Sequence, residues 1–243
     1  MSFEAQTCVV TGASSGVGRA LSAALTHAGS RVWAIGRSDE RLRALEEECS
    51  QSQGAVVPLT VDLERDADLQ AATREILSGN GDVDVLVHCA GAIALGPFES
   101  ISPEDLDRQL RVNLRAPVLL TQALLPALKR TRGQIVFVNS LAAHGASANN
   151  AIYAASKRGL SAIADSLREE VNAEGVRVSS IYIGRSATPM QVWMHEYEGR
   201  PYRPELLLQT DDVATAILGA LAVPRSGEVT DMNLRPAVKL PPA

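Results

Sequence analysis

Tyr153 and Lys157 stand four residues apart in "NNAIYAASKRGL" (149–160), a stretch rich in helix formers. On a helix that spacing puts both side chains on one face, where they can meet. The chain holds three lysines against twenty arginines, so a lysine at this place is a selective choice. A phenol beside an ammonium is either a surface pair worth a few tenths of a kcal/mol or a proton donor tuned by the neighbouring charge. Lowering a phenol from its usual pKa near 10 to neutrality takes ~4 kcal/mol of phenolate stabilisation, part of which a cation supplies.

A second constellation lies near the start. "TGASSGVGRAL" runs from an apolar stretch into a helical one, with glycines at Gly12, Gly16 and Gly18. Such a turn brings backbone close to a pyrophosphate at a helix N-terminus. The spacing departs from G-x-G-x-x-G, and no Lys-Ser/Thr follows as in a P-loop. A plain strand-to-helix turn is the competing reading, and its position after the first strand favours a dinucleotide. About twenty residues on, where a carboxylate would bind the ribose hydroxyls of NAD, the chain reads Gly36-Arg37. A guanidinium suits a 2′-phosphate, so NADP(H) is expected rather than NAD(H), unless Arg37 merely opens a helix in solvent. Asp62 either accepts a hydrogen bond from an adenine amino group or caps the next helix.

These residues need a scaffold. Short β-rich runs at 7–12, 31–36, 55–62, 83–91, 133–140, 176–184 and 227–234 alternate with helical patterns near 16–28, 39–52, 64–78, 103–130, 150–173 and 211–222. Most of the strands are continuously apolar, as strands covered on both faces are. The expected fold is α/β: a doubly wound, Rossmann-like parallel sheet of about seven strands with helices on both faces, one domain over 1–243. Ligands of such folds bind beyond the carboxyl ends of the strands. Residues 185–209, with Trp193, Tyr197 and several prolines, break the alternation and read as an excursion over the site.

Composition narrows the class. A net charge of −5 and a pI near 5.4 offer no basic surface for nucleic acid. Cys8, Cys49 and Cys89 are odd in number and widely spaced, which reads as reduced thiols. Neither a signal peptide nor a membrane span is read, and the expected location is the cytoplasm.

Taken together, "TGASSGVG", Asp62-Leu63, Ala90-Gly91, Asn113, Ser140, Tyr153-x-x-x-Lys157 and "IGRSATPM" make the chain resemble a short-chain dehydrogenase/reductase over nearly its whole length. That resemblance implies Asn113, Ser140, Tyr153 and Lys157 as catalytic residues. It also implies that Gly12, Ser14, Ser15, Gly16, Val17, Gly18, Arg37, Asp62, Leu63, Ala90, Gly91 and Thr188, with Tyr153 and Lys157, line the cofactor. Ser140 would donate to the substrate oxygen, Lys157 would tune the phenol and hold a ribose, and Asn113 would anchor a water leading to Lys157. His88-Cys89 and Ile183-Gly184 depart from the family's Asn-Ala-Gly and Pro-Gly patterns; His88 is expected to be a buried, bonded imidazole. No metal set is present.

The expected activity is hydride transfer between NADP(H) and a small to medium, mainly apolar carbonyl or secondary alcohol. Ile93, Leu95, Ala142, His144, Met190, Val192, Trp193, Met194 and Tyr197 are the expected substrate contacts. An epimerase or dehydratase would need a longer chain, and a non-catalytic NADP(H)-binding sensor would have no need of a proton donor. The small-residue face of the 149–171 segment suits close packing in a homodimer or homotetramer.

Overall fold

The computed structural model describes residues 3–79 and 81–238. Its seven strands are β1 (Thr7–Thr11), β2 (Arg31–Gly36), β3 (Ala55–Thr60), β4 (Val85–His88), β5 (Gln134–Ser140), β6 (Arg177–Ile183) and β7 (Asp231–Leu234). All pairings are parallel, in the order β3-β2-β1-β4-β5-β6-β7. The order reverses between β1 and β4, which creates the switch-point crevice that a doubly wound sheet offers to ligands. Pro58 falls within β3, an edge strand, where a missing N–H leaves no ladder partner unsatisfied.

Alternation along each buried strand feeds two cores. Cys8, Val10, Val136 and Val138 face one side, where Leu21, Leu25 and Ile217 of α1 (Gly16–His27) and α8 (Thr210–Leu221) cover them; α2 (Asp39–Glu48) adds Leu42 and Leu45. Val9, Ile135 and Phe137 face the other, under Ile76 of α3 (Asp66–Gly79), Leu124 and Leu128 of α5 (Ala116–Thr131), and Leu160 of α6 (Ala151–Val171). This two-sided burial is why the strands read as unbroken apolar runs.

Three expected elements take a different form. The helix expected over 103–130 is divided: α4 (Pro103–Leu110) leads into a π-helical turn at Arg111–Arg115 before α5. The strand expected over 83–91 leaves the ladder after His88, because Cys89 N and Ala90 N both donate to Thr11 Oγ1, at 3.1 and 3.2 Å. The strand expected from 227 begins at Asp231; before it, Val178 N donates to the Glu228 carboxylate (2.7 Å) and Arg177 to Gly227 O (2.9 Å), and the first backbone bond to β6 is Ser180 N to Thr230 O (2.8 Å).

The 185–209 excursion contains a helix of its own, α7 (Pro189–Tyr197). Its base is pinned by Ala187 N to Leu208 O (2.8 Å) and Leu208 N to Arg185 O (3.0 Å). Arg185 also grips both carboxylate oxygens of Glu198, just past the helix, at 2.9 and 2.5 Å.

Candidate active site

The glycine turn sits at the carboxyl end of β1. Gly12 has φ +73°, and a Cβ there would stand 2.9 Å from Ala90 Cα, so only glycine lets the turns after β1 and β4 touch. A Cβ on Gly18 would be 2.4 Å from Gly12 O, which closes α1 onto the turn that precedes it. Ser15, the N-cap of α1, makes no side-chain cap bond, so the first-turn N–H groups stay open toward the crevice.

Neighbouring strand ends complete this half. Ser14 packs against Gly36, where an added Cβ would lie 2.9 Å from Ser14 Cβ, and Arg37 follows directly. Arg37 is exposed and has no ion-pair partner among the described residues. The nearby Asp39 carboxylate is held by Arg43 (2.8 Å) and Thr60 (3.2 Å). Asp62 serves as a local cap, accepting from Glu64 N at 3.0 Å, and still borders the cleft. Thr188, preceding α7, places its methyl against Gly16, 3.0 Å from where a Cβ would be.

The proton-handling residues come from β5 and α6. Ser140 ends β5; its Oγ accepts from Ala142 N at 3.2 Å, which turns the hydroxyl proton away from that loop. Tyr153 stands next to it, half-buried along the cleft. Lys157 is 4% exposed, donates to Val138 O at 3.2 Å, and its Nζ lies 6.0 Å from the Tyr153 ring centroid. Together these groups border one cleft of about 1090 Å³ that extends to the glycine turn.

Burial dominates the electrostatics. It lowers Lys157 from 10.5 to about 8, with Cys89 opposing the shift. It also raises Tyr153 above its ordinary value of 10, and the Ser140 hydroxyl only partly offsets this. The expected acidification of the phenol by Lys157 is therefore not what the protein alone displays: burial is the larger influence on the phenol, and the group opposing it is Ser140.

Every residue expected to line the cofactor borders this cleft. Asn113 does not. Fully buried in the π-helical turn, it accepts from Ala92 N (2.7 Å) and donates to Ala92 O (2.8 Å) and Ser156 Oγ (3.0 Å). Both amide hydrogens are thus spent, and the side chain clamps the loop after β4 to α6 rather than standing ready to anchor a water. Ile93, Leu95, Ala142, Met190, Met194 and Tyr197 reach the cleft. His144 instead packs at a tilt against Tyr182, ring centroids 4.2 Å apart, and bonds Asn233, while Val192 and Trp193 turn outward, 37% and 41% exposed.

His88 is buried, as expected, but its partner is a helix rather than a neighbouring strand. Its Nε2 is 2.8 Å from Thr121 Oγ1 on α5, and its ring stacks on Phe137. Burial and the nearby Lys157 push its pKa down to about 3, so it is neutral.

Two positioning residues escaped the sequence reading. Asn139 donates to Lys157 O and Ser161 Oγ and accepts from Ser140 N, which locks the end of β5 to α6. Ser156 bridges Tyr153 O and Asn113. The one available signal was Asn139 itself, an amide inside an otherwise apolar strand.

A doubly wound sheet with a glycine turn at its switch point and a Ser–Tyr–Lys cluster facing that turn defines a class, the dinucleotide-dependent oxidoreductases. A family profile described as short chain dehydrogenase matches residues 6–198, and the chain belongs to that family. It is 38% identical over 178 residues to a short chain dehydrogenase of Pseudocercospora fijiensis, a match covering 72% of this chain and 57% of that longer protein. An alcohol dehydrogenase from the archaeon Thermococcus sibiricus, solved with 5-hydroxy-NADP, superposes with a TM-score of 0.87 at 27% identity, covering 99% of this chain and all (100%) of that one. A metagenomic short-chain oxidoreductase solved with NADP gives 0.84 at 31% identity over 98% and 100% of the two chains. A 3-ketoacyl-(acyl-carrier-protein) reductase of Brucella melitensis, solved with NADH, gives 0.85 at 26% over 96% and 97%.

Proposed function

We propose that the protein is an NADP(H)-dependent reductase of a small to medium, mainly apolar carbonyl compound, running in reverse on the secondary alcohol. The observation that carries this reading is the convergence of Ser140, Tyr153 and Lys157 on the same cleft as the glycine turn.

The residues fit a dinucleotide. The open N–H groups of α1 suit a pyrophosphate, and Gly12 and Gly18 allow the close turn that presents them. Between the two nicotinamide cofactors, similar structures hold both kinds, and Arg37 supports NADP(H). Its guanidinium has no ion-pair partner among the described residues, and the Asp39 carboxylate two residues on is turned to Arg43 and Thr60.

When bound, the cofactor supplies the hydride. The chain's own residues manage the oxygen. Ser140 donates to the substrate carbonyl and fixes its direction. Tyr153, its pKa raised, is protonated at pH 7 and is set to give that proton to the carbonyl oxygen during reduction. Lys157 stands behind the phenol with two N–H groups beyond the one given to Val138 O, enough to hold a ribose and to compensate phenolate charge after transfer. Initial rates on a panel of ketones and aldehydes with NADPH and with NADH test the proposal. Turnover with a higher kcat/KM for NADPH is expected; no turnover on a broad panel, or preference for NADH, refutes it.

A further inference from the structure

The cleft is also bordered by a group of residues in which cations outnumber acids. Arg185, Arg200 and Arg235 border it, and Glu198 is the acid among them. Arg185 occupies both oxygens of Glu198. Arg200 pairs with the same carboxylate more loosely, its Nε 3.7 Å from Glu198 Oε2. Its outer nitrogens have no acceptor among the described residues, although the side chain is only 30% exposed. The outer edge of this partly exposed guanidinium is open to an anion that enters the cleft. Arg235, just past β7, is exposed and has no acidic partner among the described residues. Leu95, Met190 and Met194 give the same cleft an apolar lining.

We infer that the substrate is a keto acid, a carbonyl compound whose carbon chain lies on that apolar wall and whose far end is a carboxylate received by Arg200 with help from Arg235. The planar fork of Arg200 matches a carboxylate through two parallel N–H bonds, and its single 3.7 Å contact with Glu198, through Nε, leaves the outer nitrogens for it. This rests on the reductase reading above and adds to it the class of substrate and the residue that selects it.

The test compares levulinate and its longer homologues with their ethyl esters, as initial rates of NADPH oxidation. For at least one chain length the wild type should favour the acid by about tenfold in kcat/KM, the value of one charge-assisted contact. Arg200→Gln should cut the acid-to-ester ratio about tenfold, and the exposed Arg235→Gln by less. An ester used as well as its acid at every length, or a ratio that Arg200→Gln leaves in place, overturns the inference while the reductase reading stands. Calorimetric titration of the protein–NADPH complex with hexanoate gives an answer free of turnover. Its Kd should rise about tenfold in Arg200→Gln, and an unchanged Kd overturns the anion site even if no ketone proves to be a substrate.

Discussion

At the scale of single residues the site is governed by burial. Tyr153 is kept protonated by its surroundings, and a phenylalanine would retain its packing while removing the transferable proton. Tyr153→Phe should lower kcat at least a hundredfold, within the range of general acid catalysis, while NADPH titration shows a fold and cofactor site intact. Near-normal turnover would remove the phenol from the mechanism. Lys157 carries a cost that activity alone would not reveal. Its fall from 10.5 to about 8 means that the folded state disfavours the charge, by up to about 3 kcal/mol. Between pH 8 and 10.5 the unfolded chain holds this proton and the folded chain releases it, so this group makes stability rise with pH across that window. Lys157→Met should therefore melt a few degrees higher than wild type at pH 7, lose that alkaline gain, and be inactive. A lower melting midpoint would mean that the Val138 contact outweighs desolvation. The phenol, the ammonium and Ser140 were legible in the sequence because their spacing is local and their chemistry is rare in combination. Asn139 and Ser156 were not, because what they do depends on which strand end meets which helix.

Among the elements, the strands were legible and the connections were not. Apolar runs announce a sheet buried on both faces, yet where each strand stops is decided by side chains from elsewhere, such as Thr11 taking the N–H groups of Cys89 and Ala90. The π-helical turn has no signature in "RVNLR", since it exists to bring Asn113 to Ala92 across the sheet end. α7 was read only as an interruption because its apolar residues serve the cleft and the outer surface instead of one core face. His88 is the clearest case of one element depending on another, because β4 is held to α5 through a neutral imidazole. Its pKa falls from 6.5 to about 3 on folding, so the stability it supports is complete above pH 6.5 and is lost as pH drops toward 3, while the unfolded chain takes up the proton. One such proton contributes about 1.4 kcal/mol per pH unit. His88→Asn should leave this much of the acid limb flatter when urea unfolding is followed from pH 7 to pH 5. Equal slopes in both proteins would show that the imidazole does not titrate in that range.

For the whole molecule, cofactor choice and stability are linked, because the cleft is assembled from strand ends across the switch point and from α6 and α7 on its far side. A ligand that bridges these parts and has no affinity for the unfolded chain stabilises by RT ln(1 + [L]/Kd), about 2.7 kcal/mol at a hundred times Kd. In a domain of 243 residues each kcal/mol moves the melting midpoint by about 2–4 °C. NADPH should thus raise the midpoint by several degrees, and NADH at equal concentration by clearly less, because only the former carries the 2′-phosphate that Arg37 can pair. Arg37→Asp should reverse the order: the new carboxylate repels the phosphate and accepts from the ribose hydroxyls that NADH presents. The reversal is the informative outcome, since Arg37 is exposed and its replacement disturbs no packing. Loss of both shifts together would place the residue in the architecture of the turn, and an unchanged NADPH shift would leave the cofactor's phosphate to some other group.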